Sequence, residues 1–193
     1  MIHDHGYNFD TELFLDLNGQ WGPGWDNFFY LMSDKLIWIP LYLFILFVIY
    51  RRWGWKAMLV SLAFIGLSVG IVDQVCNLFK DGIEKLRPTH TPAIESLVHT
   101  VKGYRGGPYG TFSAHAATTA CIATFSALVI RKKLFTILIP LWVILVSYSR
   151  IYLGVHYPMD IFFGMLTGII TAVGIFLVFK SQPVRKLYYP VPA

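Results

Sequence analysis

Charge is what this chain has least of. Asp, Glu, Lys and Arg make up 14% of its 193 residues, against about 25% in ordinary soluble domains. So few charges cannot solvate the surface of a globular body of this size, which excludes the soluble class. Cysteine is nearly absent too: Cys76 and Cys121 are the two in the sequence, too few for a disulfide scaffold. Neither belongs to a CxxC or Cys/His cluster, so both are expected to pack as small apolar side chains. No His, Cys or carboxylate set has metal-ligand spacing, and no basic-aromatic motif points to nucleic acid. Linkers, internal repeats and low-complexity tracts are missing as well. Met1–Gly24 is acidic and lacks a basic start and an apolar run, so no signal peptide is expected there.

What is abundant is apolar: hydrophobic residues reach 55% and aromatics 17%. Five stretches are long enough, or nearly so, for a hydrocarbon core that takes about 20 helical residues. They run Leu36–Tyr50, Trp55–Phe79, His115–Ile130, Leu134–Tyr148 and Ile161–Phe179. The expected fold is all-α, a polytopic transmembrane helical bundle of five spans, or six if the N-terminal segment crosses. Asp26–Lys35 is apolar enough to extend the first span outward. Asp10–Asn18 alternates acids with Leu and Phe at helical spacing, which predicts an interfacial helix. One domain is expected over 1–193: an interfacial segment 1–35, a bundle 36–180 and a cytoplasmic tail 181–193.

The few charges are sorted by side. Arg51, Arg52 and Lys56, then Arg131, Lys132 and Lys133, then Lys180, Arg185 and Lys186 follow alternate spans with no acid among them. The other basic residues share the opposite side, or the membrane near it, with all 11 acids. The positive-inside rule puts the first group in the cytoplasm and Met1–Lys35, Lys80–Phe112 and Ser149–Asp160 outside.

Three clusters fall on that outer side. Lys80 and Arg87 are seven apart, two turns on one helical face, and could converge on an anion or simply snorkel; Pro88 ends or kinks the helix. Ser113 precedes a small-residue helix as a natural N-cap, with His115 beside it and glycines before it. The helix N-terminus offers N–H groups to an anion, although a plain cap with an interfacial His fits equally. Ser149-Arg150-(x)5-His156-(x)3-Asp160 sets a carboxylate four residues after a histidine, able to hold one ring nitrogen and free the other to attack. Cations, a helix N-terminus and two histidines on one face suit a phosphate.

These clusters resemble the tripartite motif of the type 2 phosphatidic acid phosphatase superfamily: Lys-(x)6-Arg-Pro, Pro-Ser-Gly-His and Ser-Arg-(x)5-His-(x)3-Asp. The first and third occur here without a mismatch. In the second, Phe112 stands for Pro and Ala114 for Gly; Ala114 keeps its backbone N–H. The resemblance implies that His156 is the nucleophile, forming a phosphohistidine, with Asp160 orienting it. It implies that His115 protonates the leaving oxygen and later activates water, and that Lys80, Arg87, Ser113, Ala114 and Arg150 hold the phosphate. No cofactor is implied. Lys85, Lys102 and Arg105 of the outer loop are candidates for a substrate head group, with His90 and His99 nearby. Asp73 is expected to partner Lys80 or stand as a buried polar group rather than act in catalysis, with Gln74 and Asn77 lining the same polar cavity or cross-linking helices. Gly164-(x)3-Gly168 is expected to pack inside the bundle rather than mark a dimer face. His3 and His5 match no ligand spacing.

The expected activity is dephosphorylation of a phospholipid or polyprenyl phosphate at the outer face of a bacterial inner membrane. Undecaprenyl diphosphate and lipid A phosphate are the leading substrates, phosphatidylglycerol phosphate a third. A lipid phosphotransferase using the same phosphohistidine, and a non-enzymatic lipid-phosphate binder or transporter, are the competing classes. The oligomeric state is left open.

Overall fold

The computed structural model describes residues 7–180; His3 and His5, Arg185 and Lys186, and the tail 181–193 lie outside them. Helices α1 (Phe9–Leu17) and α2 (Pro23–Met32) come first. A 3-10 turn, Leu36–Trp38, then leads into α3 (Ile39–Ile83). A second such turn, Pro88–His90, lies in the loop before α4 (Ala114–Ile130), α5 (Lys133–Tyr152) and α6 (Pro158–Phe179). Among the described residues there is no named strand, only an isolated bridge between Leu86 and Tyr109.

Three stretches, Leu36–Ile83, Lys133–Tyr152 and Pro158–Phe179, are long and apolar enough to cross a membrane. The first is one run of helical hydrogen bonding broken at Gly54, whose φ of 84° and ψ of 175° no helix accommodates. Tyr42 and Gly70 nevertheless line one cavity. A straight helix would hold them about 42 Å apart, so the chain reverses at Gly54 and α3 is two antiparallel arms. With α4 these make a five-rod bundle. Helices α1 and α2, 9 and 10 residues long, each reach only about 15 Å and cannot cross. Nor does Asp26–Lys35 extend the first span: the turn at Ser33–Lys35 separates α2 from α3.

Helix α4 occupies the centre. Ala116, Ala117, Ala120, Cys121, Phe125 and Val129 are all buried, at different angles around the helix. Small side chains let neighbouring backbones come close, and α6 exploits this. A Cβ on Gly164 would stand 2.7 Å from the Ser113 carbonyl, and one on Gly168 2.1 Å from that of Ala117. The two glycines therefore pack within the bundle. Cys76 and Cys121 are free and buried, as expected of packing residues. The outward faces of α3, α5 and α6 expose Leu43, Phe47, Leu141, Ile144, Ile170 and Leu177, an apolar belt suited to lipid.

The N-terminal helices cap one end of the bundle. Phe14 of α1 is fully buried against Tyr157 and Ile161. Asn18 donates to the Ile151 and Tyr152 carbonyls, both at 2.9 Å, and accepts from the His99 amide at 2.8 Å. Trp21 and Phe29 join Tyr148 and Tyr152 in an aromatic cluster. Asp26 accepts from Tyr152 Oη at 2.7 Å and from His99 Nε2 at 2.9 Å. At the other end, Trp53 donates to the Val129 carbonyl. This brings Arg51, Arg52 and Lys56 of the α3 reversal alongside Arg131–Lys133.

Candidate active site

Residues from all three motifs meet at the capped end, Lys80 excepted. Helix α3 stops at Ile83, because Glu84 turns left-handed (φ 49°). Arg87 is therefore not on one helical face with Lys80, as the spacing suggested. The chain runs extended instead: Arg87 N–H donates to Pro108 O (2.9 Å) and Gly110 N–H to Lys85 O (2.8 Å). Alternation along an extended segment puts residues 85 and 87 on the same side. Gly110 is needed here, since a Cβ would stand 2.9 Å from Arg87 Cγ. Arg87 then donates through Nε to Tyr109 O (3.0 Å) and through Nη1 to Val155 O (2.9 Å), and Nη1 meets His156 Nε2 at 3.2 Å.

That last contact assigns the imidazole. A guanidinium has donors and no acceptor, so Nε2 presents its lone pair and the ring proton sits on Nδ1. Nδ1 lies 3.5 Å from Asp160 Oδ2, an ion-dipole contact longer than a good hydrogen bond, and it has no hydrogen-bond partner. Asp160 Oδ2 is fixed by the Tyr157 amide at 3.0 Å. His156 is buried, and burial first, then Arg87, Arg150 and Lys85, hold its pKa well below the usual histidine value. It is a neutral base whose Nε2 lone pair faces the Arg87 guanidinium, surrounded by positive charge.

Arg150, also buried, reaches Tyr104 Oη at 3.0 Å and the Ser33 hydroxyl. Burial raises the Tyr104 pKa, but Arg150, Arg87 and Lys35 outweigh it and bring the phenol below its ordinary range. Tyr30, Ser33, Asp34, Tyr104, His115 and Arg150 line a polar cavity of about 190 Å3. Next to it lies a larger cavity of about 550 Å3, sharing Ser33 and His115 and walled by Trp38, Tyr42, Gly66 and Gly70, with Lys35 and Asp73 on its lining. Ser113 caps α4, its Oγ 3.5 Å from the Ala116 amide, and its own amide donates to Asp160 O. Ala114 lines the larger cavity. Phe112 stacks between Phe79 (4.5 Å) and Phe163 (5.6 Å). Its ring thus ties α3, α4 and α6 together where the family pattern has proline.

The remaining candidates are held elsewhere. Lys80 donates to Asn77, which in turn donates to Asp73, and Lys80 also pairs with Asp81 at 3.7 Å. Asn77 is thus the link between Asp73 and Lys80. Arg105 is tied to Glu95 and the Thr89 carbonyl, while His90 meets Thr89. Lys102 lies over the Tyr30 ring at 4.7 Å, near the cavity mouth. Lys85 bonds Asp160 rather than facing solvent alone. Sequence spacing had not pointed to Tyr30, Ser33, Tyr104 or Lys35. They lie on α2 and in the loops, and no local motif marks them. Among the described residues no three of His, Cys, Asp and Glu come together as metal ligands.

A polytopic bundle with a cation-lined histidine pocket at one end defines a membrane enzyme that handles an anion. Known proteins narrow the class. The PAP2 superfamily pattern matches residues 56–183. A lipid A 4'-phosphatase of Bacteroides thetaiotaomicron is 39% identical over 161 residues, 82% of this chain and 72% of the relative. One of Porphyromonas gingivalis is 38% identical over 185 residues, covering 95% and 78%. Among solved structures, LpxE of Aquifex aeolicus superposes with a TM-score of 0.65 at 25% identity, covering 92% of this chain and 99% of that one. A transmembrane PAP2-type phosphatidylglycerolphosphate phosphatase of Bacillus subtilis shares the fold, with a TM-score of 0.66 at 21% identity over 90% and 87% of the two chains. The chain belongs to the PAP2 superfamily and is a multi-pass membrane phosphatase.

Proposed function

We propose that the protein is a lipid A 4'-phosphatase of a bacterial inner membrane, working at the outer face through a phosphohistidine. The observation that carries the mechanism is the His156 ring, neutral, with Nε2 against Arg87 and Nδ1 toward Asp160. The substrate rests on the two relatives of 38–39% identity that bear this activity. The large cavity, apolar at Trp38 and Tyr42 with Lys35 among its walls, suits an acylated sugar phosphate whose chains stay in the bilayer.

In the first step Nε2 of His156 attacks phosphorus and the bond from phosphorus to the sugar oxygen breaks. His115 gives that oxygen a proton. Water then attacks the phosphohistidine, His115 takes its proton, and inorganic phosphate leaves. Arg87 and Arg150, the α4 amides and Ser113 neutralise charge on the equatorial oxygens; that is the main need of phosphoryl transfer. Lys80 would join them by leaving Asn77. The N-terminal segment 1–35 and the bundle form one catalytic domain.

The test is a panel of purified lipids in detergent with EDTA throughout: lipid A, undecaprenyl diphosphate and phosphatidylglycerol phosphate. Lipid A should lose one HPO3 from its 4' position and release inorganic phosphate at an undiminished rate in chelator. Vanadate should inhibit. Activity on undecaprenyl diphosphate with none on lipid A would overturn the substrate. A rate that collapses in EDTA and returns with Mg2+ would overturn the mechanism.

A further inference from the structure

Lys85 occupies an unspecified position within the first motif, and as an outer-loop cation it would be expected to meet a head group. The structure turns it inward. Its Nζ is 2.8 Å from Asp160 Oδ1 and 3.4 Å from Asp10 Oδ2, and 4.4 Å from the centre of the Tyr157 ring. Asp10 belongs to α1, and its other oxygen accepts the Met159 amide at the N-terminus of α6, at 2.9 Å. Asp160 itself is almost fully buried. A buried carboxylate with no cation is costly and free to turn. Here one oxygen is held by Lys85 and the other by the Tyr157 amide, and the second faces His156 Nδ1.

Resting on the reading of His156 as nucleophile, we propose that Lys85, clamped by Asp10 of the N-terminal helix, is a positioning residue. It neutralises Asp160 and holds the carboxylate aimed at the His156 ring. The extended run after Glu84 makes this possible, since residues 85 and 87 face the same way. Arg87 thereby reaches the histidine while Lys85 reaches its carboxylate. The same arrangement gives α1 a role in catalysis: Asp10 joins the first helix of the chain to the α6 N-terminus that carries Asp160.

The experiment uses the full chain in detergent with two substrates, lipid A and p-nitrophenyl phosphate. Lys85→Met should lower kcat on both by about 10–100-fold, the range typical of groups that orient a histidine without touching the reacting atoms, with KM nearly unchanged. Lys85→Arg should recover most of the loss. Adding Lys85→Met to Asp160→Asn should cost little more, because both act through one carboxylate. A raised KM for lipid A alone, with kcat intact, would make Lys85 a head-group ligand and overturn the proposal. So would losses that multiply in the double variant. Full activity in Asp160→Asn would instead overturn the reading of the site itself. Should Lys85→Met not fold, Lys85→Gln and Asp10→Asn decide: the proposal expects a lower kcat in each, and wild-type kcat in both would refute it.

Discussion

An imidazole surrounded by guanidinium and ammonium groups is poor at holding a proton and good at offering its lone pair. Burial, Arg87, Arg150 and Lys85 all act on His156 in that direction. The sign for folding follows: as pH falls below about 6.5 the unfolded chain protonates this histidine while the folded one does not, so acid erodes stability before it protonates the folded ring. In a 15N-resolved titration the His156 ring should remain neutral, as the Nδ1–H tautomer, well below pH 6.5; a midpoint near 6.5 would contradict the geometry. The proposed mechanism gives His115 a different task and a different dependence. With His156 as the proposed nucleophile, His156→Ala should abolish turnover of every substrate, because that residue would bond phosphorus whatever departs. General acid help is worth about 10²–10⁴-fold, and a poor leaving group needs most of it. His115→Ala should therefore lose nearly that factor on lipid A and far less on p-nitrophenyl phosphate, whose phenolate leaves unaided. Equal losses on both would leave His115 a phosphate-binding group.

At the scale of elements, the close meeting of α4 and α6 decides whether Ser113, His115 and Asp160 share a site. Gly168 sits against the Ala117 carbonyl and the Cys121 amide with no room for a methyl group, whereas Gly174 on the same helix has nothing within 4 Å. Gly168→Ala should destabilise by about 1–3 kcal/mol, the usual cost of overpacking. The midpoint of thermal unfolding in detergent would show the loss, and Gly174→Ala should leave it unchanged. This pair was legible in the sequence because small residues four apart on an apolar helix have few other uses. So were the bundle rods and the His156–Asp160 register, which depend on local spacing alone. The turn after Ile83 was not: a spacing of seven from Lys80 to Arg87 fits a helix as well as the left-handed break that occurs. The docking of α1 and α2 was equally hidden. Asp10, Asn18 and Ser33 meet partners 75 to 149 positions away, and no local period encodes such contacts.

For the whole molecule, the small stock of charge is spent on two ends. The Gly54 reversal and the α4–α5 turn bring Arg51, Arg52, Lys56 and Arg131–Lys133 to the end away from the site, and Lys180 follows α6 there. The acids among the described residues, the histidine pocket and the N-terminal helices occupy the other. Cytoplasmic retention of Lys and Arg would then place the pocket outside, where a lipid A substrate faces the periplasm. Cysteine labelling can test this on a quiet background, since Cys76 and Cys121 are both buried. Gly107 lies exposed in the loop beside the site, and Lys132 exposed in the α4–α5 turn. With an impermeant maleimide added to intact spheroplasts, Gly107→Cys should react and Lys132→Cys should react only after lysis. The reverse pattern would turn the pocket toward the cytoplasm. It would leave the phosphatase chemistry of the site intact while removing every substrate confined to the outer leaflet.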